Sequence, residues 1–422
     1  MREPTGKGQR GDGRVDSGSV HIGEVSLGTP IVLSPMAGVT NPPFRQICRE
    51  FAEQGARDAG VPDVAPGRTD GTFAPAGLYV CEMITTRALV EGVPETLRMV
   101  QPDVGDPVRS IQLYGVQPHT TAKAVEILIE QDLADHIDLN FGCPVPKVTR
   151  KGGGSALPWK RDLFFEIVSA AVRSAERASR GRSHTVPVTA KFRIGIDDDH
   201  ETLYDALELC ERAGISAVTL HARTLEQHYS GRAQWNRIAD LKERAHIPVF
   251  GNGDVFECAD AERITSETGC DGIAIGRGCQ GRPWVFYDLA AYYHGSGKRM
   301  RPRLSEVADV IMRHAELSVQ HFADEHRAVR EMRKHMSWYL RGFAVGGESR
   351  HALGLVSSLA ELRSRLDSLD LDQPYPPAAT GARGRAGGAK RAHLPEHWLE
   401  SRELNAEQRR RITEAEIGVS GG

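Results

Sequence analysis

The chain is short of the features that would assign it quickly. Its 422 residues include seven cysteines (Cys48, Cys81, Cys143, Cys210, Cys258, Cys270 and Cys279), none paired as C-x-x-C. That spacing excludes the common zinc modules. The odd, scattered set fits a reduced, cytoplasmic protein rather than a disulfide framework. No metal site is expected. No apolar run approaches the roughly 20 residues of a membrane span, and the first residues lack the apolar centre of a signal peptide. The net charge is only −3, so there is no global field for RNA or a membrane, and any basic surface must be local. No G-x-G-x-x-G fingerprint follows an early strand, which weighs against an open doubly wound sheet, the second choice of fold.

What is present is a regular alternation. Residues 1–20 are rich in Gly, Arg, Asp and Ser and read as a disordered leader. Order begins with a strand near Ile31, after which Thr40 or Asn41 can cap a helix carrying Pro42 and Pro43 in its first turn. Residues 53–76 break the rhythm and read as an inserted loop. Strand-like runs then fall at 78–83, 109–114, 137–141, 186–192, 217–221, 248–251 and 272–275. Helical patterns separate most of them, as at 122–131, 163–178, 204–213, 235–244 and 258–267. Eight β units followed by helix-compatible sequence, over roughly 250 residues, predict an α/β fold closed into a (β/α)₈ barrel spanning 21–300. From Leu304 the strands stop. Helical patterns at 307–322, 328–343 and 353–369 predict a small all-α domain over 304–370. Residues 371–422 read as a disordered tail, with a short helix at 407–417.

The chemistry gathers where strands end. The run from His136 to Phe141 leads into Gly142-Cys143-Pro144 and a basic, glycine-rich loop containing Lys147, Arg150 and Lys151. A buried free cysteine is usually an apolar filler. Cys143 differs by its place past a strand, and it suits either a nucleophilic thiolate favoured by those cations or a thiol acting as general acid. The loop over 147–155 lacks the ending of a P-loop and reads as a mobile lid. The turns after the last two strands, Gly251-Asn-Gly-Asp254 and Gly276-Arg-Gly278, stand where barrels often bind phosphate, with Arg277 as the cation. Lys191 and Arg193 lie on one side of their strand by alternation. If that side faces inward, Lys191 is a Schiff-base lysine or the partner of an anionic ligand. Gln112 is an amide inside an apolar run and must find partners, either a ligand's imide edge or backbone. His221, at the end of its strand, is open between a structural and a ligand-facing role.

Taken as an ordered set, these motifs resemble the tRNA-dihydrouridine synthases, closest to the bacterial B-type branch. The matching residues are Ser34-Pro-Met-Ala-Gly-Val-Thr, Gln112-Leu-Tyr-Gly, Asp138-Leu-Asn-Phe-Gly-Cys-Pro, Lys151-Gly-Gly-Gly-Ser-Ala-Leu, Lys191-Phe-Arg, His221-Ala-Arg-Thr, Gly251-Asn-Gly-Asp and Gly276-Arg-Gly. The resemblance covers roughly residues 30–290. It implies an FMN-containing barrel that uses NADPH to reduce C5=C6 of particular tRNA uridines. On that resemblance Pro35, Met36 and Ala37 line the flavin, Gln112 and Lys191 meet its ring edge, and His221 lies close by. Asn252, Gly253, Asp254, Gly276 and Arg277 hold its phosphate end, Asn140 and Arg193 seat the uracil, and Cys143 donates the proton. The implied partner is tRNA, with Lys147 and Lys151 at its phosphates and no obligate protein partner evident. In the helical domain Arg327, Arg330, Lys334, Trp338 and Arg341 form one stripe of a helix, suited to tracking phosphates. Two rivals stand beside this reading: a flavin barrel acting on a free pyrimidine or small enone, and a Lys191 Schiff-base lyase.

Overall fold

The computed structural model describes residues 19–62, 70–102, 105–384 and 387–417. Strands β1 (Ile31–Leu33), β2 (Leu78–Thr85), β3 (Ser110–Tyr114), β4 (His136–Phe141), β5 (Val188–Arg193), β6 (Ala217–His221), β7 (Val249–Asn252) and β8 (Gly272–Ile275) form a closed barrel. All neighbouring pairs run parallel, and β8 closes onto β1 with Ile273 opposite Ile31. The (β/α)₈ expectation is met.

Alternation explains which residues point where. On β4, Phe141 faces outward and meets Phe164 of the helix Arg161–Ala178 edge-on at 4.6 Å. His136 and Asp138, two residues apart, face inward and bond to their strand neighbours. The lower barrel is apolar: Val32, Leu78, Val80, Ala217, Phe250 and Ala274 pack on a hairpin whose strands are Val20–Ile22 and Val25–Leu27. That hairpin plugs the N-terminal end, so a ligand must enter from the opposite face, where barrels place their chemistry.

Several boundaries differ from expectation, each for a physical reason. The helix Pro42–Asp58, capped by Asn41 through Phe44 N (3.2 Å), runs into the stretch read as an inserted loop. Ala52 and Ala56 continue its buried face, and Glu53 pairs with Arg49 one turn earlier. Farther along that stretch, Phe73–Ala74 pairs with the hairpin. The expected leader lies almost wholly outside the described residues. The helix expected over 353–369 is shorter, Leu359–Asp367, begun by Ser358, which accepts from Glu361 N, and a short helix Gly347–Leu353 that was not expected precedes it.

The helical region after Leu304 has its own core, including Leu304, Val307, Ile311, Met332 and Met336. It docks on the barrel through Phe44, whose ring lies 5.6 Å from His314 and 5.9 Å from His335. The reading of 371–422 as a disordered tail is overturned for its described part. Residues 387–405 lie on the rim of the barrel mouth, and the helix Ala406–Ile417 packs beyond them. Proline, glycine and arginine gave this stretch a disordered composition. Its order comes from a few anchors, among them Trp398, with Leu394, Leu399 and Leu404 packed against the barrel core.

Candidate active site

A chain of polar side chains climbs the barrel interior. Ser110 Oγ bonds His136 Nδ1 (2.7 Å), and His136 Nε2 bonds Thr189 Oγ1 (3.0 Å). Thr189 donates to one oxygen of Asp138 (2.6 Å) and Gln112 Nε2 donates to the other (2.7 Å). Asn140 Nδ2 then donates to Gln112 Oε1 (2.8 Å), while Asn140 Oδ1 accepts from the backbone N–H groups of Gly142 and Cys143 (3.0 Å each). Buried polar groups must be satisfied, and here each one orients the next. Burial holds Asp138 above the usual carboxylate range against the pull of Thr189, Gln112 and Lys191. Burial pushes His136 down to about 3, so it is neutral. Sequence reasoning missed this column, although His136, Asp138 and Asn140 share one face of β4 by period two.

The column ends at Cys143. Of the seven cysteines it alone is not buried. Partial burial of its thiol raises its pKa above the ordinary value, only partly opposed by a backbone N–H at Val145 and the charge of Arg193. The side chain is therefore a thiol at neutral pH rather than a thiolate. Ser155 fixes it from the other side, donating to Cys143 O from both N (3.1 Å) and Oγ (3.0 Å).

Lys191 and Asn252 face each other across the mouth, with Nζ donating to Oδ1 at 2.9 Å, and Asn252 Nδ2 donates to Ala274 O at 2.7 Å. Burial and the neighbouring Arg193 lower Lys191 to about 7, while Asp138 acts in the other direction. Below this level, Ser34, Pro35, His136, Asp138, Thr189 and Lys191 line a cavity of about 20 Å³, room for a water-sized molecule only. Any larger ligand must lie above it. His221 is buried at the end of β6, where desolvation and then Arg193, Lys191, Arg223 and Arg277 drive its pKa well below the ordinary value. It is a neutral ring.

Two residues expected at ligands have partners within the protein. Arg193, expected to help seat the substrate, is only 2% exposed. Its guanidinium donates to the carbonyls of Gly142 (2.8 Å), Thr224 (2.9 Å) and His228 (2.9 Å). It clamps the loop bearing Cys143 to the loop after β6. Asp254, expected at a phosphate, is instead bonded by Arg223 Nη2 (2.6 Å), by Arg277 Nη2 (3.2 Å) and by Ala233 N (2.7 Å). A carboxylate would repel a phosphate, so its part here is to aim Arg277, whose guanidinium also lies 4.6 Å over the Tyr229 ring.

The turns after β7 and β8 suit a phosphate-bearing ligand. A side chain at Gly278 would strike Val255 O at 2.3 Å, so glycine is what lets these two turns meet. Above Gly276 there is room, since the nearest atoms to an added Cβ are Met36 Sδ and Ser34 Cβ, both at 3.9 Å. Gln280 Oε1 is buried without a partner among the described residues. Open backbone, a positioned arginine and an unpaired amide oxygen at one end, with Gln112 and Lys191 at the other, fit flavin mononucleotide. Among the described residues no cluster of His, Cys, Asp and Glu could hold a metal ion, and no helix is long and apolar enough to cross a membrane.

The remaining expected contacts are spread out. Lys147 is exposed and Lys151 half-buried on the loop after Cys143. Their loop is not a free lid, because residues 152–160 are buried. In the helix Glu325–Tyr339, Arg330 and Lys334 are exposed, and Lys334 Nζ lies 3.5 Å from the position of a Cβ at Gly38 on the barrel mouth. Arg327 is tied to Glu95 (2.8 Å), and Arg341 bonds backbone carbonyls of Ala378 and Ala382. The usable basic stripe is shorter than the sequence suggested.

The family model described as dihydrouridine synthase matches residues 32–373. A probable tRNA-dihydrouridine synthase of Mycobacterium tuberculosis is 49% identical over 384 residues, covering 91% of this chain and 93% of that protein. One from Mycobacterium leprae is 49% identical over 372 residues, 87% of this chain and 95% of its own length. The tRNA-dihydrouridine synthase B of Pseudomonas aeruginosa is 36% identical over 323 residues, 76% of this chain and 86% of its own length.

Proposed function

The chain belongs to the dihydrouridine synthase family, and on that premise we propose that it is an FMN-dependent oxidoreductase reducing C5=C6 of particular tRNA uridines, with NADPH as reductant. Reduced FMN, when bound, supplies the hydride that adds to uracil C6. The rest is the work of the chain's own side chains.

Pro35, Met36 and Ala37 flank the ring, with neutral His221 close by. Gln112, held by Asp138 and Asn140, keeps one amide hydrogen in a fixed direction for the ring edge. Lys191 protonates readily beside an anion, because a negative neighbour raises a lysine's pKa. Arg277, with Asn252, Gly253 and Gly276, holds the phosphate, and Asp254 keeps Arg277 in place. Asn140 has one amide hydrogen left to orient the uracil. Hydride addition at C6 leaves negative charge at C5 and O4, which a proton at C5 discharges. Cys143 gives that proton, and a thiol that stays protonated at neutral pH suits the task. Lys147, Lys151, Arg330 and Lys334 take RNA phosphates, and the target base must leave its stack to enter the mouth.

The observation that carries the assignment is Cys143, the one cysteine of seven that is not buried, held from both sides at the end of β4. Cys143→Ala is expected to keep flavin absorption and NADPH oxidation while dihydrouridine formation, read by mass mapping of tRNA, falls about 10²–10⁴-fold. Full dihydrouridine yield from that variant removes Cys143 from the acid role. Purified protein without flavin removes the reading as a whole.

A further inference from the structure

We infer that Trp398, outside the span matched by the family model, is a positioning residue for Cys143. The inference rests on the acid role proposed for Cys143, and it begins with what holds the loop after that cysteine.

Residues 387–405 run along the rim of the mouth as a strap. Lys390 N donates to Glu226 O (2.8 Å) and Ala392 N to Glu226 Oε1 (2.9 Å), fixing the strap to the loop after β6. His393 then meets Arg150 at 3.4 Å. Next comes Trp398, 2% exposed, with its ring laid on Gly152 so closely that a Cβ there would lie 2.6 Å from the indole. Its Nε1 donates to Ala156 O at 3.0 Å. Gly152 and Ala156 bracket Ser155, whose two hydrogen bonds hold the Cys143 carbonyl. The strap thus reaches Cys143 through two adjacent residues, Ala156 and Ser155.

The indole is also held by a cation. Lys160, 0% exposed, places Nζ 5.0 Å over the Trp398 ring and donates to Ser401 O (2.7 Å) and Glu403 O (3.2 Å). Arg402 returns the contact, donating to Trp159 O (3.0 Å) and lying 4.2 Å over the Trp159 ring. A buried lysine must find partners, and this one finds both on the strap. Two interlocked cation–indole pairs therefore fasten the turn Gly154–Trp159 from outside, while Ser155 fastens Cys143 from within. Among the described residues this path makes no direct bond to Lys191 or the phosphate turns, so the expected effect falls first on placement of the thiol.

The test uses the full chain with bound flavin. In Trp398→Ala, alkylation of Cys143 by iodoacetamide should quicken about tenfold and amide exchange at Ser155 should rise, as a locally opened loop requires. Dihydrouridine turnover should fall about 10²-fold, as a displacement near 1 Å can cause, with flavin content and NADPH oxidation unchanged. Trp398→Phe, which keeps a ring on Gly152, should recover most of the turnover. If the alanine variant does not fold, Trp398→Leu carries the same expectations, because it fills space without the flat contact or the bond to Ala156. Wild-type alkylation and exchange rates in a folded Ala or Leu variant overturn the inference. Faster alkylation in a protein that makes no dihydrouridine even as wild type would leave the brace standing and sink the proposed function instead.

Discussion

At the scale of single residues, the protonation state of Cys143 has a kinetic signature. A thiol whose pKa is raised by burial keeps its proton across neutrality and loses it only as pH climbs through the raised value. Single-turnover dihydrouridine formation by pre-reduced enzyme should be flat through neutral pH and fall on the alkaline side, above about 8.5, the ordinary thiol value. A decline already complete below that value would mean a thiolate and defeat the acid assignment. The side taken by Lys191 was legible in the sequence because period two fixes it, whereas Gln112 stood out as an amide in an apolar run and Asn140 only through the family resemblance. Alternation gives the side and not the partner. Arg193 shares a face with Lys191, yet its charge is spent on three carbonyls that arrive from distant loops. Asp254 looked like a ligand contact for the same reason, since nothing local announces Arg223, 31 residues away.

At the scale of elements, the helix Glu325–Tyr339 separates what the sequence could tell from what it could not. Its basic stripe was legible, but the fate of each cation depended on the barrel. Arg327 ends on Glu95, an exposed pair worth about 0–1 kcal/mol. Arg330 and Lys334 remain on the surface near the mouth. Replacing both with Glu should weaken tRNA binding and lower the slope of log affinity against log salt by about one per lost phosphate contact, with flavin retained. Filter binding over a salt series reads this directly, and an unchanged slope would exclude this face. The barrel strands were placed to within a residue or two because each is a short apolar run between turn signals. The start of the helix expected over 353–369 was set too early, because Leu353 and Val356 continue the apolar spacing ahead of the Ser358 cap.

At the scale of the whole molecule, the helical region and the barrel meet at a histidine pair. His314 and His335 are buried 4.8 Å apart beneath Phe44, and His314 bonds the Tyr339 hydroxyl at 3.1 Å. Burial pulls His314 down to about 3 and His335 well below its ordinary value, with Lys334 opposing protonation of both. Between the unfolded value near 6.5 and about 3 the unfolded chain binds the extra protons. Stability is therefore expected to drop as pH falls through that window, by up to about 1.4 kcal/mol per pH unit for each histidine. Thermal melts over this range should show a shallower slope in His314→Gln than in the wild type, and equal slopes would place the acid sensitivity elsewhere. This interface was invisible in the sequence because Phe44 and His314 lie 270 positions apart and neither stands in a motif. The strap was misread for a related reason: composition averages over residues, and Trp398 is one residue.

The strap also sets a time order on the making of the protein. Ala156 and its partner Trp398 are 242 residues apart. At a synthesis rate of about 5–20 residues per second, roughly ten to fifty seconds pass between the two leaving the ribosome's catalytic centre. During that interval the barrel strands can pair and the phosphate turns can form, while the Cys143 loop still lacks its outer fastening. On the proposed function, the turns that hold the cofactor are therefore made before the contact that fastens the Cys143 loop for the RNA reaction.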